Sequence, residues 1–335
     1  MKESGLIIAP HLSDEEKEIF YEQKRLKKEK GLKRNSWELS PEEEIETFTP
    51  FLEKMLFQEE SFCGIPSQEK GLERTHFLPK KKYKKIFGES WGVYTKERDA
   101  IFMPEEFSYG NNLSPERQRA LRLRTLLHEN IHSLSYEEDM VSKNTGKLYA
   151  RRSGYLFSSL DGKITKFRGL NEAINEKICF ELFKNNEKEL CELFPDSEKK
   201  DWIFHSYSYP QEGAVLEFLL FEIAKRTNKS QEEVWAEYRK GLYTGNMRHL
   251  KDVDRVYGSG SLRFLATMGS IEGDDLTKKV SSREQKEYDW IKKMNCFRNY
   301  FGNSSGKSFE QRFSLVEDIL SDKEKKRFKK ENGYG

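Results

Sequence analysis

The sequence predicts an α+β chain: a small twisted sheet packed on one long buried helix, with a mainly helical remainder. Three observations carry this expectation. Residues 115–136 place Ala120, Leu123, Leu127, Ile131 and Leu134 at helical spacing, and Leu121, Thr125, His128 and His132 likewise. Just upstream, Trp91-Gly92-Val93-Tyr94 and Ala100-Ile101-Phe102-Met103 read as two strands joined by the polar residues 95–99. Downstream, apolar side chains recur at helical spacing in several further segments, the strongest being 211–225.

Composition bounds the answer. The chain has 335 residues, enough for one large domain or two ordinary ones. Aromatic residues make up 13%, more than a disordered chain carries. No apolar run reaches the roughly eighteen residues of a transmembrane helix, so no membrane partner is expected. The first twenty residues hold no apolar stretch of signal-peptide length, and a cytoplasmic chain is expected. The net charge of +2 gives no global pull toward nucleic acid or anionic lipid, although it leaves room for a local basic patch. Cys63, Cys179, Cys191 and Cys296 form no CxxC pair, which argues against a cysteine zinc site or a disulfide scaffold.

The elements follow in order. Residues 13–30 read as a helix, with Ser13 and Glu16 as a capping box and Gly31 closing it. Ser40-Pro41-Glu42-Glu43 opens a second helix, which Thr49-Pro50 is expected to interrupt before a third through Phe51, Met55 and Leu56. Residues 61–90 look irregular and then basic. The run Lys80-Lys81-Lys82-Tyr83-Lys84-Lys85 is read as a solvated face before an anion site. Pro104 ends the hairpin, and Ser114-Pro115 opens the long helix. Residues 147–168 hold turn signals at Gly154 and Gly162 and read as strands. Helices are expected from Gly169 or Asn171 through Leu182, over 211–225, and from the capping box Ser230-Gln231-Glu232-Glu233. Further helices are expected at 262–268, 282–296 and 309–328.

The chemistry lies in His128-Glu129-Asn130-Ile131-His132. Residues four apart share a helix face, so two imidazoles reach one ion. Glu129, beside the first, reaches water at that ion. Zinc takes imidazole and carboxylate ligands and leaves a position open in catalytic sites. Two histidines and a glutamate on an apolar helix also need polar partners, because unsatisfied burial is costly. The best third ligand lies in Asn171-Glu172-Ala173-Ile174-Asn175-Glu176, which sets two carboxylates one turn apart. Glu172 completes a His2Glu site, and Glu176 is placed to accept the free ring N–H of a ligand histidine.

HExxH followed by an NExxxE helix resembles the gluzincin clan of zinc metallopeptidases, and Asn171-Glu-Ala-Ile-Asn-Glu176 is similar to the NEAISD of thermolysin-like enzymes. The likeness spans about 114–182. It implies a zincin-like fold, with the small sheet above the HExxH helix and a helical lower subdomain. It implies one zinc per chain on His128, His132 and Glu172, with Glu129 as general base in hydrolysis of a peptide or protein by metal-activated water. The clan's donor to the oxyanion lies downstream of the third ligand; here Tyr209, then His205, then Tyr207 are the candidates, and Tyr155 and Arg168, on the stretch between the ligands, are further ones. The hairpin strand with Ile101, Phe102 and Met103 resembles the edge strand that binds extended substrate in zincins, and simple core is the other reading of it. By this reading residues 1–60 are a helical extension, 61–270 the catalytic domain and 271–335 a polar helical region. The chain departs from thermolysin in the forty-residue interval from His132 to Glu172, and no propeptide is recognised in it. Alternatives are a non-catalytic zinc-stabilised interaction domain and a nucleic-acid-associated protease using the lysine run.

Overall fold

The computed structural model describes residues 14–33, 43–64, 74–88, 90–96, 98–105, 115–141, 148–158, 165–194, 209–268, 283–318, 320 and 322–332. It is mostly helical with small sheets, an α+β architecture. Two compact units divide the chain: residues 1–153 with 177–206, and residues 154–176 with 207–335. Among the described residues, no helix is long and apolar enough to cross a membrane.

The first unit opens with α1 (Asp14–Leu32) and α2 (Glu43–Cys63). The Ser13 cap and the opening at residues 40–42 lie outside the described residues. Gly31 does not close α1, which runs on through Leu32. A Cβ at Gly31 would stand 2.2 Å from the Arg98 carbonyl oxygen, so the glycine serves a close approach of two backbones. Pro50 does not break α2. Proline removes one N–H and crowds the preceding turn, but buried Phe48, Phe51, Leu52, Met55 and Leu56 anchor the helix on both sides of it.

The stretch expected to be irregular holds a strand, β1 (Thr75–Leu78), and a short helix, α3 (Lys80–Phe87). The five lysines of α3 are exposed and Tyr83 is buried, so the basic run is the wet face of that helix. The predicted hairpin is present as β2 (Val93–Thr95) and β3 (Ala100–Pro104). β3 lies between its neighbours, parallel to β1 and antiparallel to β2. Ile101, Phe102 and Met103 therefore form the central strand, and the expectation that they lie at an edge is corrected. All of β3 is buried, as a strand covered on both sides requires. His76 sits in this core as a satisfied histidine. Its Nε2 donates to the Gly31 carbonyl at 2.7 Å, and its ring stacks on Phe102. The long helix α4 (Pro115–Leu134) packs on α2, β2 and β3, and a further antiparallel pair, β4 (Glu137–Val141) with β5 (Leu148–Ser153), follows it.

Helix α5 (Arg168–Asn185) passes from the second unit into the first, where α6 (Glu187–Leu193) follows. In the second unit its start is pinned. Phe167, at φ 59°, donates its N–H to Ala266 O, and Gly169 donates to Met268 O, both at 2.8 Å. These bonds occupy N–H groups at a helix start that have no partner inside the helix. Tyr155, fully buried, donates its backbone N–H to Asn171 Oδ1 at 2.9 Å. Its hydroxyl lies 2.8 Å from Tyr238 O and 2.7 Å from His249 Nε2. The phenol donates to the carbonyl, so His249 Nε2 carries the proton that completes the trio.

The rest of the second unit is helical around the β6 (Leu156–Ser158) and β7 (Thr165–Lys166) pair. Helices α7 (Pro210–Thr227) and α8 (Gln231–Thr244) match their predicted segments. The capping box at Ser230 is formed in both directions. Helices α9 (Lys251–Tyr257), α10 (Ser261–Ala266) and α11 (Arg283–Asn303) follow, and Phe264 stacks on Phe297 at 4.3 Å. The single helix expected over 309–328 is two, α12 (Phe309–Phe313) and α13 (Asp322–Glu331).

Removing the Tyr155 hydroxyl leaves a buried carbonyl and an imidazole without it. Tyr155→Phe is expected to cost about 1–3 kcal/mol. Urea unfolding at unchanged m-value would report that loss, and a change within a few tenths would contradict the assignment.

Candidate metal centre

Helix α4 has a sharp start and a buried middle. Residues Ala120 to Ile131 are all buried, although they include Arg122, Arg124, Thr125, His128, Glu129 and Asn130. Several of these polar groups are satisfied along the helix itself. Thr125 Oγ1 donates to Leu121 O at 2.8 Å and Asn130 Nδ2 to Leu126 O at 2.7 Å. Ser133 and Ser135 bond back in the same way as the helix ends.

The two histidines face each other from consecutive turns. Their Nε2 atoms are 3.0 Å apart and their rings are inclined at 73°. Glu172, on the first turns of α5, brings a carboxylate to the same place: one ligand atom from each of His128, His132 and Glu172 lies within 4.8 Å of the others. His128 is buried, and His132 and Glu172 are half-buried.

The donor set fits a divalent ion. With Zn–N bonds of about 2.0–2.1 Å, two nitrogens at tetrahedral angles stand about 3.3 Å apart, close to the separation found. The Nε2 pair alone would also suit one N–H···N hydrogen bond. The carboxylate changes that balance, because two imidazoles and one carboxylate are the ligand mix of a catalytic zinc site. The three residues define a metal-binding protein, with a His2Glu set consistent with zinc. No family model matches the chain, and neither does any curated protein or solved structure.

Glu129 points elsewhere. Its Oε2 accepts the backbone N–H of Tyr94 in β2 at 2.7 Å, and only 8% of the residue is exposed. Glu176, one turn beyond Glu172, is fully buried, as are Asn171 and Asn175 beside it. Tyr209 caps the start of α7 and accepts Gly213 N–H at its carbonyl. His205 and Tyr207 lie outside the described residues. Tyr155 is remote from solvent, with its hydroxyl engaged as described, and Arg168 is an exposed residue at the start of α5.

One acid near the set was read only as part of an apolar helix. Glu212, in the first turn of α7, is 4% exposed, and its Oε2 has no hydrogen-bond partner among the described residues. Burial pushes its carboxyl above the usual range. Its own backbone N–H opposes the shift, Glu172 adds to it, and Arg168 offsets part. An acid raised on folding stabilises the fold below its unfolded pKa and loses that contribution as pH rises through the folded pKa. Glu212→Gln should therefore raise the melting temperature of metal-free protein near neutral pH, with the advantage fading toward about pH 4. A gain of equal size at both pH values would show that charge is not the cause.

Proposed function

We propose that the chain is a zinc-dependent peptidase of gluzincin type, acting on a peptide or protein. The supporting observation is the division of labour within one helical turn. His128 and His132 converge with Glu172, while Glu129 stands outside that set with its carboxylate turned to an edge strand. A zinc site that only stabilised the fold would need no base beside its ligands.

Zinc held by His128, His132 and Glu172 would act as a Lewis acid and make water more acidic. In this reading Glu129 accepts the proton of the attacking water and passes it to the departing amine. Glu176 fixes a ligand histidine by accepting its free ring N–H. Tyr209, with His205, is the proposed donor to the oxygen on which negative charge develops. The catalytic part is assigned to residues 61–270, and the protein to the cytoplasm.

Elemental analysis tests the ligand set. Wild type purified without chelator should carry about one zinc per chain, and Glu172→Ala should lose most of it. Equal zinc in both would place the third ligand elsewhere. Glu129→Gln should keep its zinc and lose peptide cleavage by about 100- to 10,000-fold, the range of a general base. Zinc retained in a wild type that cleaves no peptide pool would favour the non-catalytic, zinc-stabilised reading.

A further inference from the structure

Strand β2 meets the HExxH helix in a way that the metal set does not require. Tyr94 pairs opposite Ile101 of β3, yet its backbone N–H points away and is taken by Glu129 Oε2 at 2.7 Å. The N–H belongs to the outer edge of the sheet, since β2 has a neighbour on one side only among the described strands. The glutamate thus caps an edge donor that would otherwise go to water.

Two residues earlier the backbone comes closer still. A Cβ at Gly92 would lie 2.7 Å from Thr125 Cγ2, 3.1 Å from Glu129 Cγ and 3.4 Å from Glu129 Oε1. Gly92 has no positive φ, so nothing in its backbone conformation calls for glycine. The requirement is space, and the space is filled by the glutamate's own stem and its second oxygen. Tyr94 is in turn held at its far end. Its hydroxyl donates to Asp99 Oδ1 at 2.8 Å, and Asp99 is ion-paired with Arg74.

We propose that Gly92 and the Tyr94 amide form the seat that aims the Glu129 carboxylate, Gly92 by having no side chain and Tyr94 by donating its N–H. Both are positioning residues. A carboxylate three rotatable bonds from the backbone has many orientations, and proton transfer needs one of them. The N–H fixes Oε2, and the gap over Gly92 receives the stem and leaves Oε1 beside it. The effect on turnover rests on the peptidase reading; the seat itself does not.

Two measurements separate these. Hydrogen exchange at the Tyr94 amide, followed by NMR in zinc-loaded protein, should be slow in wild type and faster by on the order of 100-fold in Glu129→Ala, since the edge donor is then open to water. Unchanged exchange would overturn the seat, whether or not any peptide is cleaved. A clear response in a protein that cleaves nothing would leave the seat standing and remove the peptidase reading.

The second measurement uses Gly92→Ala with Thr125→Ser. The serine removes the methyl that a new Cβ meets first and keeps the hydroxyl bonded to Leu121 O. If Gly92 matters only for packing strand on helix, the double variant recovers to the level of Thr125→Ser alone, and the proposal falls. If it acts through Glu129, the double variant keeps full zinc and a KM near wild type for a quenched-fluorescence peptide pool. Its kcat stays about 10- to 100-fold low, as displacement of a reacting group by less than 1 Å predicts. Tyr94 exchange in the same variant should be accelerated in parallel.

Discussion

A helix buried along most of its length, yet lined with polar side chains, is the constraint from which the rest of this structure follows. From Ala120 to Ile131 helix α4 shows almost nothing to solvent, and half of those residues carry hydrogen-bonding groups. Each such group needs a partner or costs on the order of 1–3 kcal/mol. Threonine, asparagine and the two serines solve the problem locally by bonding back to carbonyls one turn earlier. Arg122 reaches the carbonyl of Glu105 at 2.7 Å. His128 and His132 meet each other across one turn with Glu172 converging on them, and Glu129 takes its partner from β2.

Much of this was legible in the sequence, and the failures have physical causes. The extent of α4 followed from its apolar spacing and its opening proline. The capping box at Ser230 and the asparagine-glutamate helix were readable because their determinants are local. The central position of β3 was not, because it depends on β1, a four-residue strand with Thr75 and His76 in it. Nothing in a Thr-His-Phe-Leu string announces burial. His76 becomes a core residue only by finding the Gly31 carbonyl 45 positions away. Pro50 and Gly31 misled for one reason: both residues usually end helices, and here tertiary packing overrode the local preference. The Glu129–Tyr94 bond was invisible because strand register decides which amide faces outward, and a shift of one residue would turn it inward.

Charges far apart in sequence also meet in the first unit. Within the first unit, helix α1 lies against β4 through Lys24 and Asp139 at 3.1 Å and Lys27 and Glu137 at 2.8 Å. Burial works against the charge on Lys27, but Glu137 and Asp139 outweigh it and raise its pKa. Asp139 is pulled upward by its own burial and by Glu137, with the two lysines offsetting part. Asp139 is buried and its partners are half-buried, so removing the lysines would strand a buried carboxylate. Surface pairs such as Arg25 with Glu22 and Glu29 carry no such weight.

The same field reaches the edge strand. Asp99 lies close enough to Lys27 to favour its charge, and it holds the Tyr94 hydroxyl. Burial and the Asp99 carboxylate push that phenol well above its usual range, so it stays a donor at any physiological pH. The phenol therefore remains able to donate to Asp99, and that bond ties the far end of the Tyr94 side chain to the turn. Asp99 itself sits at φ 48°, a conformation that aspartate tolerates better than most residues. A strand free to slide would present a carbonyl to Glu129 in place of an N–H, and two acceptors would face each other in a buried gap. Fixing the register of three residues is thus what keeps the Tyr94 N–H, and not a carbonyl, on the Glu129 carboxylate.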